Sequence, residues 1–360
     1  MFSRRQALVR LAAGAGALAM APACRLSRRP VVGACPSLAG RRLRWIVPNA
    51  AGGGYDTESR LLQPLLARRL GADIVIDNQA GAGGLVGARA IAGARPDGAT
   101  LGILGVPGLL VASLMGETHA PDPVTAFTVL GRIARSWHVW GTGASSPLST
   151  IDAVVAASAR RPLICAINEA GSANFVSVTA TAALLGIDVE FVGGFAGTRS
   201  ACLAAMRGDV DLVCFNFETI GDLFKAGDLR PLLQVSVERI AKDRVLDDVP
   251  VLGGADGYAA RHARSRGRDA GATGEAADGL AQVMGGGRIL VAPAGLPAAI
   301  GRCLADAVGD VLASAELRAS TTRVLDTAPA EAARADVLLA ARMAPRLLPA
   351  LRAALARMRA

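Results

Sequence analysis

Aromatic side chains make up only 4% of this sequence, and histidine occurs three times in 360 residues. The first scarcity removes the stacking platforms that a nucleic-acid binder needs. The second, together with the lack of any HExxH or CxxC spacing, removes the usual metal and redox motifs. His119, His138 and His262 each stand apart from other ligand-type residues. His138, inside Ser136-Trp137-His138-Val139-Trp140, reads as a core or hinge residue rather than a catalyst. No GxSxG nucleophile elbow occurs. Gly52-Gly53-Gly54 is not followed by Gly-Lys-Ser/Thr, so it is no phosphate-cradling loop. Acidic residues are missing from residues 1–44, which hold nine arginines, while the remainder balances thirty basic against thirty acidic residues. The net charge of +9 therefore belongs to the leader and gives no reason to expect nucleic acid as a partner.

That leader reads as an export signal over residues 1–24. Ser3-Arg4-Arg5-Gln6-Ala7-Leu8 has the twin-arginine pattern, and 13 apolar residues follow from Leu11 to Ala23, too few to span a bilayer. Small residues precede Cys24, a candidate for lipidation that would anchor a periplasmic protein, although Pro22 departs from the usual lipobox. Residues 25–42, rich in Arg, Pro, Gly and Ser, read as a flexible tether. Of the other cysteines, Cys35, Cys165, Cys202, Cys214 and Cys303, an oxidising compartment would permit pairing. Cys165 and Cys214 lie on strands that could be neighbours, but small buried apolar residues is the plainer reading.

What is abundant is a repeated strand–turn–helix pattern. Apolar runs at 43–47, 73–76 and 100–104 alternate with helical periodicity at 57–70 and 85–94. A long apolar strand, 133–140, reads as a crossover, after which the pattern restarts, and 229–237 begins the return. The expected fold is α/β: two lobes, each a mostly parallel sheet flanked by helices, joined by two crossover strands. Lobe 1 takes residues 43–138 and 239–360, and lobe 2 takes 139–238. Residues 253–279, rich in Gly, Ala and Arg, break the pattern and read as a solvated insertion, with a docking patch for an acidic partner as the sharper alternative. The Ala/Arg/Leu-rich tail, 330–359, reads as one or two amphipathic helices covering the first lobe.

Two glycine turns carry the functional signal, Gly52-Gly53-Gly54-Tyr55-Asp56 and Gly81-Ala82-Gly83-Gly84. Each ends a strand and opens a helix, so each offers free backbone N–H groups to an anion. Neither carries a nucleophile, so the chemistry is capture, without cofactor or metal, and no enzyme is expected. Asp56 would repel an anion unless it faces away, accepting N–H bonds from its own helix start or from the 81–84 loop. In the second lobe the turns at Ser172 and Thr198 can donate to a ligand or cap their helices. A dinucleotide enzyme built on residues 81–87 is the alternative of a different class, weakened because Asp97 sits before a strand rather than after one.

The ordered set Val47-Pro48 through Gly52-Gly53-Gly54-Tyr55-Asp56 with Arg60, Asn78 through Gly84 with Gly87, Pro96-Asp97-Gly98 with Thr100-Leu101, Gly171-Ser172-Ala173-Asn174 and Ala292 through Pro297 resembles the extracytoplasmic solute receptors of the tripartite tricarboxylate transporter family, of the Bordetella uptake gene type. The resemblance implies a periplasmic binding fold of the second type that closes, as a monomer, on a mono-, di- or tricarboxylate. It also implies partnership with one large and one small integral membrane subunit, with a ligand-sensing role as the variant. Carried over residue by residue, it implies ligand contacts from Gly53, Gly54, Tyr55, Asp56, Gly83, Gly84 and Gly105 in the first lobe. In the second it implies Ser172, Asn174, Gly197 and Thr198. The chain departs from the family at Asn49, Ala51, Ala80 and Ala99, and through residues 192–197.

Overall fold

A computed structural model describes residues 35–240, 244–321 and 325–359, with side chains to residue 357. The export signal, Cys24 and the tether as far as residue 34 lie outside these. Strand β1 (Arg42–Val47) shows how the core is partitioned. Leu43, Trp45 and Val47 point to one face and Ile46 to the other, the period-two alternation of a sheet covered on both sides. Helix α1 (Gly54–Leu70), β2 (Asp73–Asn78), α2 (Leu85–Ala92), β3 (Thr100–Gly105) and α3 (Val106–Leu114) follow as strand–helix repeats. β4 (Phe127–Ala134) and β5 (His138–Gly143) are two strands, not the single long one the sequence suggests. They belong to different sheets, and the chain passes between them at residues 135–137.

The second sheet grows from α4 (Ile151–Ser158), β6 (Leu163–Ala166), α5 (Ala173–Leu185), β7 (Val189–Val192), α6 (Thr198–Arg207), β8 (Leu212–Asn216), α7 (Phe217–Ala226) and β9 (Leu229–Val235). Helices α8 (Tyr258–Ser265) and α9 (Ala270–Gly285) lead back to β10 (Arg288–Pro293) in the first sheet. α10 (Ala298–Ala313), α11 (Ala315–Ala319), β11 (Ala328–Pro329), α12 (Ala330–Met343) and α13 (Leu348–Arg359) complete the chain. The sheet orders are β11-β4-β10-β3-β1-β2 and β7-β6-β8-β5-β9. Both are mixed. β1 runs parallel to β2 and β3, and β6 to β7 and β8, whereas β4, β10, β5 and β9 pair antiparallel. The antiparallel strands are those that carry the chain into and out of each sheet, which is why the repeat pattern alone overstates the parallel content.

Residues 253–279 are not a solvated insertion. Tyr258, Ala259, Ala263, Ala277 and Leu280 are buried, and α8 is tied to the second sheet's helices by Tyr258 Oη donating to Asp152 at 2.6 Å and by His262 Nε2 meeting the Leu185 carbonyl at 3.0 Å. Small Ala and Gly residues here serve close helix packing rather than chain flexibility. The first residues of the described chain are ordered too. Leu38 is fully buried, and Cys35 forms a disulfide with Cys303 of α10. Residues 35–42 therefore belong to the folded part of the chain rather than to a tether. Cys165, Cys202 and Cys214 are free and buried.

Candidate functional site

Helix α1 is capped by Gly53, which has no side chain to bond it, so the N–H groups of its first turn are left for another acceptor. The turn is held from behind. Asp56, 2% exposed, accepts the Gly52 N–H at 2.8 Å, Arg60 Nε at 2.9 Å and Asn78 Nδ2 at 3.0 Å. Asn78 also donates to the Asn49 carbonyl at 3.0 Å. Burial alone would raise the Asp56 carboxyl, but these hydrogen bonds and the Arg60 charge outweigh it and hold it below the usual carboxylate range. Both its oxygens are spent on the turn and its neighbours. Asp56 thus shapes the loop that opens α1, and its partners there are Gly52 and Asn78 rather than the 81–84 loop.

The second turn uses glycine where the backbone requires it. Gly83 and Gly84 have φ of 66° and 93°, and α2 then starts without a side-chain cap. A Cβ on Gly83 would stand 3.7 Å from the Ala170 carbonyl, and one on Gly108 3.1 Å from the Gly171 carbonyl. The first-sheet turn and the start of α3 thus face the turn that opens α5. There Ser172 Oγ caps Phe175 N at 3.5 Å and lies 2.7 Å from the Glu169 carbonyl and 2.6 Å from Asn174 Oδ1. Asn174, 3% exposed, also reaches the Ala166 carbonyl at 3.4 Å. These two side chains build their own turn, which leaves main-chain groups as what the turn can present. Gly197 and Thr198 open α6, and no atom lies within 4 Å of a Cβ on Gly197, so this end is an open lip rather than a wall.

Sequence reasoning misses a buried polar cluster beside the α1 start. Arg288, 6% exposed at the head of β10, pairs with Glu58 of α1, itself 1% exposed. Its guanidinium lies over the Tyr55 ring, 4.7 Å from the centroid, and Nη2 is 3.5 Å from Thr219 Oγ1 of α7. A Cβ on Gly54 would meet Thr219 Oγ1 at 3.3 Å and Arg288 Nη1 at 3.4 Å, and one on Gly105 would collide with Tyr55 Oη at 2.1 Å. Gly105 is needed to let the Tyr55 side chain close up, and at Gly54 a Cβ would fit only tightly. Burial raises Tyr55 despite the lowering pull of Arg288. Burial pushes Glu218 up to about 8 and His138, beside the Arg288 charge, down to about 3. A usable signal did exist: Glu58 interrupts the apolar face of α1 shared by Leu62, Leu65 and Leu66, and Arg288 heads an otherwise apolar strand.

Among the described residues no group of three or more His, Cys, Asp and Glu side chains could hold a metal ion, and no helix is long and apolar enough to cross a membrane. The model of the tripartite tricarboxylate transporter family receptor matches residues 59–258, more than half of the chain. The chain belongs to this family. Among curated proteins it is 32% identical over 116 residues to a UPF0065 protein of Bordetella bronchiseptica, covering 32% of this chain and 35% of that one. It is 26% identical over 205 residues to protein BugT of Bordetella pertussis, covering 55% and 62%. The matched part thus spans less than two thirds of either relative's length. Among solved structures, the receptor fold matches MatC of Rhodopseudomonas palustris with bound malate, with 26% identity, a TM-score of 0.66 and 85% and 99% of the two chains covered. It also matches the periplasmic binding protein BugD, with 21% identity, a TM-score of 0.68 and 86% and 97% covered. The α/β fold with two mixed sheets is therefore that of two-lobed periplasmic binding proteins, and the matching family is one of transporter receptors. Residues 59–258 include the Gly83, Ser172 and Thr198 turns and Thr219, but not Gly53, Tyr55, Glu58 or Arg288.

Proposed function

We propose that this receptor captures a small organic carboxylate in the periplasm, between the turns of its two sheets, and hands it to the large and small membrane subunits of a tripartite tricarboxylate-type transporter. The observation that carries the reading is the approach of the Gly83 turn to the Ala170–Gly171 backbone, with uncapped helix starts at α1 and α2 beside it. Main-chain N–H groups converging from facing helix starts hold a carboxylate without a counter-charge. Gly53, Gly54, Tyr55, Gly83, Gly84 and Gly105 on one side, and the Ser172, Asn174, Gly197 and Thr198 turns on the other, would line the site. Asp56 would belong to it as the residue that fixes the donor loop.

Closure follows from differential affinity: a ligand that bridges both sides stabilises only the shut arrangement. Malate in MatC supports the carboxylate class. The Cys35–Cys303 disulfide supports an oxidising compartment, in keeping with the twin-arginine leader and a lipid anchor on Cys24. A thermal-shift screen of the mature chain against mono-, di- and tricarboxylates, amino acids and NAD(P) tests the reading. Carboxylates should raise Tm with the logarithm of their excess. Stabilisation by NAD(P) alone would reject it in favour of the enzyme built on residues 81–87.

A further inference from the structure

Three buried polar atoms around the Arg288 guanidinium lack a hydrogen-bond partner among the described residues: Arg288 Nε, Glu218 Oε2 and His138 Nδ1. Each such group loses hydration without compensation, so three in one place is unusual for a purely structural cluster. An apolar set of similar volume would fill the space with less loss. The position adds a second constraint. Arg288 and Thr219 abut Gly54, the first residue of the helix whose N–H groups face the proposed carboxylate. Arg288 belongs to the first sheet, while Thr219 and Glu218 sit at the start of α7, which follows β8 of the second. A guest lodged between the sheets at the start of α1 would lie beside Gly54, where a Cβ would come within 3.5 Å of both Thr219 and Arg288.

The unused capacity is mostly that of donors. Glu58 accepts from Nη1 at the guanidinium edge, the Tyr55 ring covers one face, and the Nη2 contact to Thr219 Oγ1, at 3.5 Å, is weak enough to be exchanged for a better acceptor. Arg288 Nε, Nη2 and the Thr219 hydroxyl are left for an oxygen acceptor. Burial raises the Glu218 carboxyl to about 8, which favours its protonated form and so an O–H donor. A carboxylate or carbonyl oxygen suits this set, and an alkyl end leaves it unpaired. We propose that Arg288, with Thr219 and Glu218, reads the far end of the bound anion and selects ligands carrying a second oxygen acceptor over those ending in a bare alkyl chain.

This rests on the carboxylate-receptor reading above, and the test separates the two. Titration calorimetry on the mature chain compares succinate with butyrate, its monocarboxylate of equal chain length, and with aspartate. The wild type should prefer succinate by about tenfold or more, the discrimination expected when a charged donor is left unpaired. Thr219→Val should narrow that preference severalfold. Arg288→Met with Glu58→Leu, which removes both members of the ion pair, should weaken succinate to the level of butyrate and leave butyrate unchanged. If the double variant fails to fold, Thr219→Val and Glu218→Gln decide the matter through the same ratio. An unchanged ratio in the folded variants, no succinate preference in the wild type, or aspartate binding that is tightest and lost in Glu218→Gln would each overturn the proposal. Loss of both acids in Gly53→Val with an unaltered ratio in the cluster variants would leave the receptor standing and sink only this inference. Binding of none of the three to the wild type would overturn both.

Discussion

Asp56 takes the backbone N–H of Gly52 at 2.8 Å and the side chain of Asn78 at 3.0 Å, so one carboxylate fastens the start of α1 to the end of β2. Replacing it by alanine strands a main-chain donor, an amide and the Arg60 guanidinium. Asp56→Ala should lower unfolding free energy by about 2–3 kcal/mol and weaken carboxylate binding together with it. Chemical denaturation and ligand titration on one preparation check both. Stability that falls with unchanged affinity would detach Asp56 from the site.

Gly53→Val tests main-chain capture directly. Gly53 has φ of −74°, open to any residue, and its Cβ would meet only the Ala50 carbonyl at 3.3 Å. The fold should survive with a small adjustment, while the branched side chain blocks close approach to the α1 start. Carboxylate affinity should fall at least about a hundredfold, about 3 kcal/mol, with circular dichroism unchanged. Retained affinity would remove Gly53 from the site.

The glycine turns, the repeat pattern and the character of Asp56 were readable because each is local: an apolar run, a breaker and a helix start within a dozen or so residues. The Arg288–Glu58 pair, 230 residues apart, and the Cys35–Cys303 bond, 268 apart, were not. Nothing in spacing says which distant segments meet, and a buried ion pair looks on paper like two solvated charges. Helices α8 and α9 were hidden by their own composition. Alanine and glycine read as loop or solvent face, yet here Ala259, Ala263 and Ala277 are the contact surface. Ser172 was readable as a cap, but its close contacts with Glu169 and Asn174 depend on how the turn folds back.

Two groups shifted by desolvation should give opposite pH slopes. Burial raises Glu218 to about 8, above the ordinary glutamate value of about 4.3, so the native state holds a proton that the unfolded chain releases. Its contribution is fully present below about pH 4 and is lost as pH rises towards 8. Burial, with Arg288 nearby, lowers His138 to about 3 from about 6.5. Its contribution is present above pH 6.5 and is lost as pH falls towards 3. Glu218→Gln should therefore raise Tm more at pH 8 than at pH 5, and His138→Phe should blunt the loss on acidification. Parallel melting curves across this range check both signs.

Removing the Cys35–Cys303 bridge frees the chain before β1 from α10. Cys35→Ser with Cys303→Ser should cost about 2–5 kcal/mol, and reductant should lower the melting temperature of the wild type but not of this variant. Equal sensitivity to reductant in both would show that the bridge is not formed in solution.

The same bridge settles where a pull would be felt. Any tension along the polypeptide upstream of residue 35 divides at Cys35, and part of it passes sideways into α10 before it can peel β1 from its neighbours. A protein held by its amino-terminal end could thus be tugged or sheared by flow without unzipping the strand that leads into the Gly52–Gly54 turn.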